Sequence, residues 1–279
     1  MSDFDPESVP IRPAATVMLI DDRPDLQVFM LQRNAKTVFA GGMWVFPGGA
    51  VDHQDDASYY QDISTHRTDE EASSLMGLDS GATAYYMAAI RETFEEAGIL
   101  LALHREDETP LRIDREQQYR FQGYRDALNA GELELKTILE KESLLADVGQ
   151  MHYVARWITP LGSPRRFDAR FFIARIPSHQ IPLHDDSELV NSAWLTPEDI
   201  LARIDGEEMV LMTVTERMIR SLALFNSAEQ VIESAAKNLS DERARVDSKT
   251  GKITMPGEPG YTEGLTDVES GWVRLRPSP

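Results

Sequence analysis

The chain has 279 residues, of which 42% are hydrophobic, and its formal net charge is −19. This length allows one sizeable core, and the acidity opposes binding to nucleic acid or to anionic membranes, since both need basic surface. The chain contains no cysteine, which excludes disulfides, thiolate nucleophiles and cysteine-ligated zinc.

The sequence also indicates which metal ion the protein could bind and where in the cell it is expected. The six histidines show no ligand-like spacing, so a divalent metal has to sit among oxygen ligands, which favours Mg2+ or Mn2+. The acidic N-terminus lacks the pattern of a signal peptide, and no apolar run reaches the roughly 18 residues of a membrane span. We therefore expect a cytoplasmic protein.

The N-terminal part of the chain predicts strands. Residues 1–13 are polar and predict a flexible N-terminus. Residues 14–20 predict a buried strand, and residues 26–32 predict its hairpin partner. A third strand over residues 43–46 is predicted to end in a turn at Pro47-Gly48-Gly49.

A polar insertion and a long helix follow. Residues 53–80 hold at most a short helix near residues 69–76, and we interpret them as an insertion. Residues 82–97 are mostly good helix formers, and Gly98 stands where a glycine that ends a helix belongs.

The second half predicts a further insertion over about residues 102–148, with helices at 115–129 and 132–143. The strands predicted beyond it cover 152–158, 166–176 and 189–195, and the helices cover 197–204 and 213–225, the last continuing to about residue 239. Residues 241–279 look irregular and predict an extended C-terminal tail. The whole predicts one elaborated α/β (α+β) domain over residues 14–240.

Three glutamates share one side of the long helix. Glu92, Glu95 and Glu96 lie opposite a largely apolar stripe and span roughly 100° of the helix circumference. An acidic face is usually only solvated surface, and Arg91 with Glu95 is an ordinary i,i+4 pair. However, three acids on one turn repel each other without a cation, and the turn at residues 47–49 can offer backbone carbonyls to that cation.

The residues around this cluster resemble the Nudix box, G-x5-E-x7-R-E-U-x-E-E-x-G-U, where U is a bulky apolar residue. Residues 91–99 match its second half, except that Thr93 replaces an apolar residue. Gly49 fits the leading glycine, but Asp55 takes the place of the first glutamate, and 35 residues instead of seven separate it from Arg91. We interpret the 28 additional residues as the polar insertion, which leaves the role of Asp55 open.

The resemblance implies a Nudix fold, a mixed sheet sandwiched between helices, and metal-dependent cleavage of a diphosphate. Glu92, Glu95 and Glu96 would hold Mg2+ or Mn2+ together with the carbonyl of Gly48. Glu92 is the expected general base, although family members differ over which glutamate does this. Arg91 would orient the carboxylates, so the predicted catalytic residues are Glu92, Arg91 and Glu95.

Further segments are similar to the branch of the family that contains the peroxisomal coenzyme A diphosphatase of animals. These segments are residues 29–33, 43–52, 91–101 and 165–172. A long insertion inside the box is also similar to that branch. The resemblance implies cleavage of coenzyme A or its thioesters into 3′,5′-ADP and a 4′-phosphopantetheine fragment.

The negative phosphates of the substrate need positively charged partners in the protein. We predict Arg33, Arg165 and Arg166 for this role, because they flank strands expected to line the cleft. The alternative for Arg165 and Arg166 is a basic loop that pairs with the acidic surface. Glu188, next to an acidic run, is a candidate for an additional metal ligand or base.

Two other functions stay open. The first is hydrolysis of another nucleoside diphosphate derivative, such as ADP-ribose, NADH or a dinucleoside polyphosphate. The second is a Nudix-fold ligand sensor without turnover, although a sensor has no chemical reason to keep a mutually repelling acidic cluster. In each case the expected partner is a small molecule, and the helices of residues 100–150 and the tail are candidates for a homodimer contact or a lid.

Overall fold

A mixed sheet forms the centre of the protein. The computed structural model describes residues 6–37, 40–182, 189–246, 252–264 and 271–277. In these ranges nine strands join into one sheet, with helices on both of its faces.

The strands are β1 (Ile11–Asp22), β2 (Leu26–Arg33), β3 (Trp44–Val45), β4 (Gly48–Ala50), β5 (Ser64–Thr65), β6 (Ala102–His104), β7 (Leu144–Asp147), β8 (His152–Ile158), β9 (Arg166–Arg175), β10 (Leu189–Leu195), β11 (Glu242–Arg243), β12 (Arg245–Val246), β13 (Ile253–Thr254) and β14 (Trp272–Val273). The α-helices are α1 (Asp69–Met76), α2 (Thr83–Ala97), α3 (Arg115–Asn129), α4 (Leu135–Lys141), α5 (Pro197–Asp205), α6 (Thr213–Leu222) and α7 (Ala228–Ala236). In the described part of the chain, no helix has both the length and the apolar character to cross a membrane.

The central sheet has the strand order β10-β2-β1-β9-β8-β14-β11, with β3 paired to β2 and β4 paired to β1. β1 and β9 run parallel over ten residue pairs, and the other pairs in this sheet are antiparallel. The mixed sheet that the sequence predicts is thus confirmed.

The period of two along each strand divides the interior into two cores. In β1, Val17 and Leu19 belong to the core that contains α2, whereas Met18 and Ile20 belong to the core that contains α5, α6 and α7. All four side chains are fully buried. Because both faces of β1 are covered, its sequence is a continuous apolar run instead of an alternating one.

Most predicted elements are confirmed, and four expectations are wrong. Residues 11–13, expected in the flexible N-terminus, belong to β1 and pair with β9. The turn at residues 47–49 is replaced by β4, because this segment pairs with the N-terminal half of β1. The helix predicted to continue to residue 239 is interrupted after Leu222, and the hydroxyl of Ser227 caps a new helix by accepting the N–H of Gln230. The tail is not wholly irregular, since Trp272–Val273 adds a strand beside β8.

The two insertions meet in a sheet of their own. β5 from the first insertion pairs with β7, and β6 pairs with the other edge of β7. The predicted helices of the second insertion are present as α3 and α4. The insertions therefore form one structure beside α2.

Candidate active site

Helix α2 carries the acidic cluster between two well-defined ends. At its start, the carboxylate of Asp69 accepts the backbone N–H groups of Gly81 and Thr83 at 2.7 and 2.9 Å. At its end, Gly98 adopts φ 70°, a left-handed conformation that glycine takes at little cost, and its N–H donates to the carbonyl of Phe94. The apolar stripe expected from the sequence is buried against the sheet, which leaves the glutamates on the other side.

The centre of the site is Arg91, a residue that is only 4% exposed. Its Nε and Nη2 each donate to one carboxylate oxygen of Asp55, both at 2.9 Å. Its Nη1 donates to Glu92 at 2.8 Å and to Glu95 at 2.9 Å, and Nη2 also donates to the carbonyl of Ala50 at 2.9 Å. Arg91 thus joins the insertion, β4 and two glutamates in one network.

Electrostatics keep Arg91 charged. Burial alone would lower the pKa of Arg91, but the hydrogen bonds to Asp55 and the charge of Glu92 raise that pKa above its usual range. Arg91 is therefore a permanent cation among carboxylates. Burial raises the pKa of Glu95 to about 7, although the charge of Arg91 works in the opposite direction.

The glycines of β4 press against the glutamates. The N–H of Gly48 donates to Glu96 Oε2 at 2.9 Å. A Cβ atom on Gly49 would overlap the carboxylate of Glu92, so only glycine allows this approach. Gly48 thus binds Glu96, and Gly49 leaves room for the carboxylate of Glu92 beside the strand.

The strand pairing also fixes the direction of the Gly48 carbonyl. Val17 N–H donates to the carbonyl of Pro47, and Val51 N–H donates to that of Pro13, so the intervening pair of Thr16 and Gly48 belongs to the set that forms no hydrogen bonds across the ladder. The N–H and carbonyl of Gly48 therefore both point away from β1. Because the N–H reaches Glu96, the carbonyl oxygen lies on the same side as the cluster.

The donor set fits a hard divalent cation. Three glutamate carboxylates and a backbone carbonyl are the oxygen ligands that Mg2+ and Mn2+ take. Asp55 adds a fourth carboxylate, so that the site contains four carboxylates and the single positive charge of Arg91. Within the described ranges, no three acidic or histidine side chains already converge as a metal site, since the carboxylates face Arg91 and the Gly48 N–H. Side-chain rotation would be needed to bring them onto one ion.

The predicted substrate arginines lie at the end of β2 and at the start of β9. Arg33 ends β2, and its backbone N–H and carbonyl bond to Met43 and Gly42. Arg165 is exposed, whereas Arg166 is buried and donates from Nε to the carbonyl of Thr159 at 3.0 Å. Their role in substrate binding stays a prediction, and Glu188 lies outside the described residues.

The sequence left the role of one contributor open and gave no sign of another. Asp55 was left open, although its place at the first acidic position of the box was the available signal. Arg125 of α3 donates to the carbonyls of Glu95 and Glu96, and no sequence pattern pointed to it.

Comparison with known proteins agrees with this geometry. The family described as NUDT19 Nudix domain matches residues 69–214. Among curated proteins, the chain is similar to acyl-coenzyme A diphosphatase NUDT19 of Xenopus laevis, with 24% identity over 63% of this chain and 54% of the relative. The human protein of that name is 24% identical over 72% of this chain and 61% of the relative.

A solved structure shares the fold. The NUDIX hydrolase from Alicyclobacillus acidocaldarius is 28% identical, with a TM-score of 0.63 over 81% of this chain and 97% of the other.

The fold and the box together define a Nudix domain. The chain belongs to the Nudix hydrolase family, in the group of the NUDT19 Nudix domain, which confirms the predicted fold and branch. It spans only about half to two thirds of the length of the curated relatives.

Proposed function

We propose that the protein is a metal-dependent hydrolase of a diphosphate linkage, and that its substrate is coenzyme A or an acyl-coenzyme A. The observation that carries the reaction class is the network of Arg91, in which one buried guanidinium holds Asp55, Glu92 and Glu95 together. Such a cluster is costly unless a cation is bound during the reaction. The names of the curated relatives support the choice of substrate.

The chemistry follows from the charge of a diphosphate, whose negative oxygens repel a nucleophile. Mg2+ or Mn2+, when bound, neutralises this charge and makes a coordinated water more acidic. Glu92, Glu95, Glu96 and the Gly48 carbonyl are the residues that would hold the cation. Glu92 would accept the proton of the attacking water, and Arg91 would keep the carboxylates of Glu92 and Glu95 oriented.

With coenzyme A, water would be added across the diphosphate, and the products would be 3′,5′-ADP and 4′-phosphopantetheine. The purified protein should be incubated with coenzyme A, acetyl-coenzyme A, ADP-ribose, NADH and diadenosine polyphosphates, each with Mg2+, with Mn2+ or with EDTA. Products should be identified by mass. Release of 3′,5′-ADP from the coenzyme A compounds alone, abolished by EDTA, is the expected result.

The same assay separates the alternatives. Cleavage of ADP-ribose, NADH or the dinucleotides without release of 3′,5′-ADP would reject the coenzyme A substrate and retain the diphosphatase. Absence of all turnover at high protein concentration, with a ligand still bound, would identify a sensor. The intact network of Arg91 and Asp55 speaks against a sensor.

A further inference from the structure

The carboxyl end of α2 is held by a residue of the second insertion. Arg125 on α3 donates from Nε to the backbone carbonyl of Glu95 and from Nη2 to that of Glu96, both at 2.8 Å. Asn129 Nδ2 adds a 3.4 Å hydrogen bond to the Glu95 carbonyl. One planar guanidinium therefore spans two successive carbonyls of the helix.

These carbonyls would otherwise lack their helical donors. The N–H groups four residues further on belong to Ile99 and Leu100, and they donate instead to the carbonyl of Thr93 and to the side chain of Gln180. The last turn of a helix always leaves such carbonyls to be satisfied from outside. A cation there also opposes the partial negative charge of the helix end.

Packing fixes the position of Arg125. Phe121, one helical turn earlier on α3, makes an edge-to-face contact with Phe94 of α2, with ring centroids 6.5 Å apart. Leu128, nearly one turn later, is also buried, and Arg125 itself is only 3% exposed. Residues spaced by three and four share one helix face. Phe121, Arg125 and Leu128 therefore form one buried face of α3, which packs against the end of α2.

Arg125 holds the backbone of Glu95 and Glu96, and these two residues are candidate metal ligands. Their side chains have separate partners, since Glu95 accepts from Arg91 and Glu96 accepts from the Gly48 N–H. A fixed backbone restricts the rearrangement needed for cation binding to rotation of the carboxylates. The second insertion thereby fixes the backbone positions from which these two carboxylates extend.

We infer that Arg125 is a positioning residue, which sets the backbone of Glu95 and Glu96 so that their carboxylates can converge on one divalent cation. This inference rests on the proposed function. The simpler role of Arg125 would be to satisfy the hydrogen bonding of the Glu95 and Glu96 carbonyls, which would affect stability alone. Metal binding by the folded protein distinguishes the two roles.

The test compares Arg125→Met and Arg125→Lys with the wild type. The matched control is Arg120→Met, which removes an exposed arginine of the same helix together with its ion pair to Glu142. The readouts are Mn2+ binding without substrate by isothermal titration calorimetry, thermal unfolding, and kcat and KM. Arg125→Met is expected to bind Mn2+ about tenfold more weakly and to lose kcat with little change in KM, as for residues that orient metal ligands.

Arg125→Lys should recover part of the Mn2+ affinity, because an ammonium keeps the charge without the planar fork, and Arg120→Met should bind Mn2+ like the wild type. A folded Arg125→Met that binds Mn2+ as tightly as the wild type would overturn the inference. If Arg125→Met does not fold, wild-type affinity in Arg125→Lys overturns it equally, and weaker affinity supports it. Failure of the wild type to bind Mn2+ would reject the proposed function itself, and the inference with it.

Discussion

Arg91 and Asp55 are 36 positions apart in the chain and form a buried ion pair with two hydrogen bonds of 2.9 Å. The side chain of Asp55 is completely buried, and that of Arg91 is 5% exposed. This pair connects the first insertion to the helix with the acidic cluster. The long separation inside the box therefore does not remove the first acidic residue from the site.

Breaking this pair should destabilise the protein. Asp55→Asn is expected to lower the free energy of unfolding by about 3 kcal/mol, because the buried guanidinium loses its most enclosed counter-charge. Urea unfolding measures the loss, with Asp62→Asn, at an exposed position of the same insertion, as the control. A decrease no larger than in the control would contradict the structural importance of the pair.

Removing the charge of the cluster should abolish turnover without unfolding the protein. Glu92→Gln and Glu96→Gln are each expected to lower kcat at least about a hundredfold, because base and metal-ligand functions both need a carboxylate. Both variants should still fold, with an unfolding temperature close to that of the wild type, because Arg91 keeps its two hydrogen bonds to Asp55 and its hydrogen bond to Glu95. Glu70→Gln, at an exposed site on α1, is the control, and near-normal turnover in both cluster variants would reject the assignment.

The close approach of Gly49 to Glu92 gives a separate test. In Gly49→Ala the added methyl would collide with the Glu92 carboxylate, which can move aside because it is the end of a flexible side chain. We expect stability within about 1 kcal/mol of the wild type but at least about tenfold lower turnover. Gly123→Ala on α3 meets no atom within 4 Å and should keep full turnover; equal activity of the two variants would contradict the prediction.

His152 predicts part of the dependence of stability on pH. Burial, followed by the charge of Arg67, lowers the pKa of His152 from 6.5 to about 4. Between these values the unfolded chain binds a proton that the folded protein does not, so stability falls as the pH is lowered from 6.5 towards 4. The slope from this group is at most about 1.4 kcal/mol per pH unit.

His152→Gln should reduce that slope. Chemical unfolding at a series of pH values from 7 to 4 measures it, and the difference between the variant and the wild type isolates His152 from the carboxylates. His179→Gln, at an exposed position, is the control for the replacement of a histidine. Identical slopes in His152→Gln and the wild type would show that His152 does not contribute.

The sequence alone determined the features that depend on neighbours along the chain. The period of 3.6 residues placed Glu92, Glu95 and Glu96 on one side of α2, and the apolar runs located β1 and β2 within a few residues. Gly98 marked the helix end, because its left-handed conformation is a local requirement. The Nudix fold followed from these local patterns and the box.

Only the tertiary structure decided the contacts between distant segments. The contact of Asp55 with Arg91, the pairing of β4 with β1, and the hydrogen bonds from Arg125 to α2 all join residues that are far apart in the chain. No local periodicity encodes such contacts, because the approach of distant segments depends on the packing of the whole chain. The acidic helix was therefore predictable from the sequence, whereas the residues that hold it in place were not.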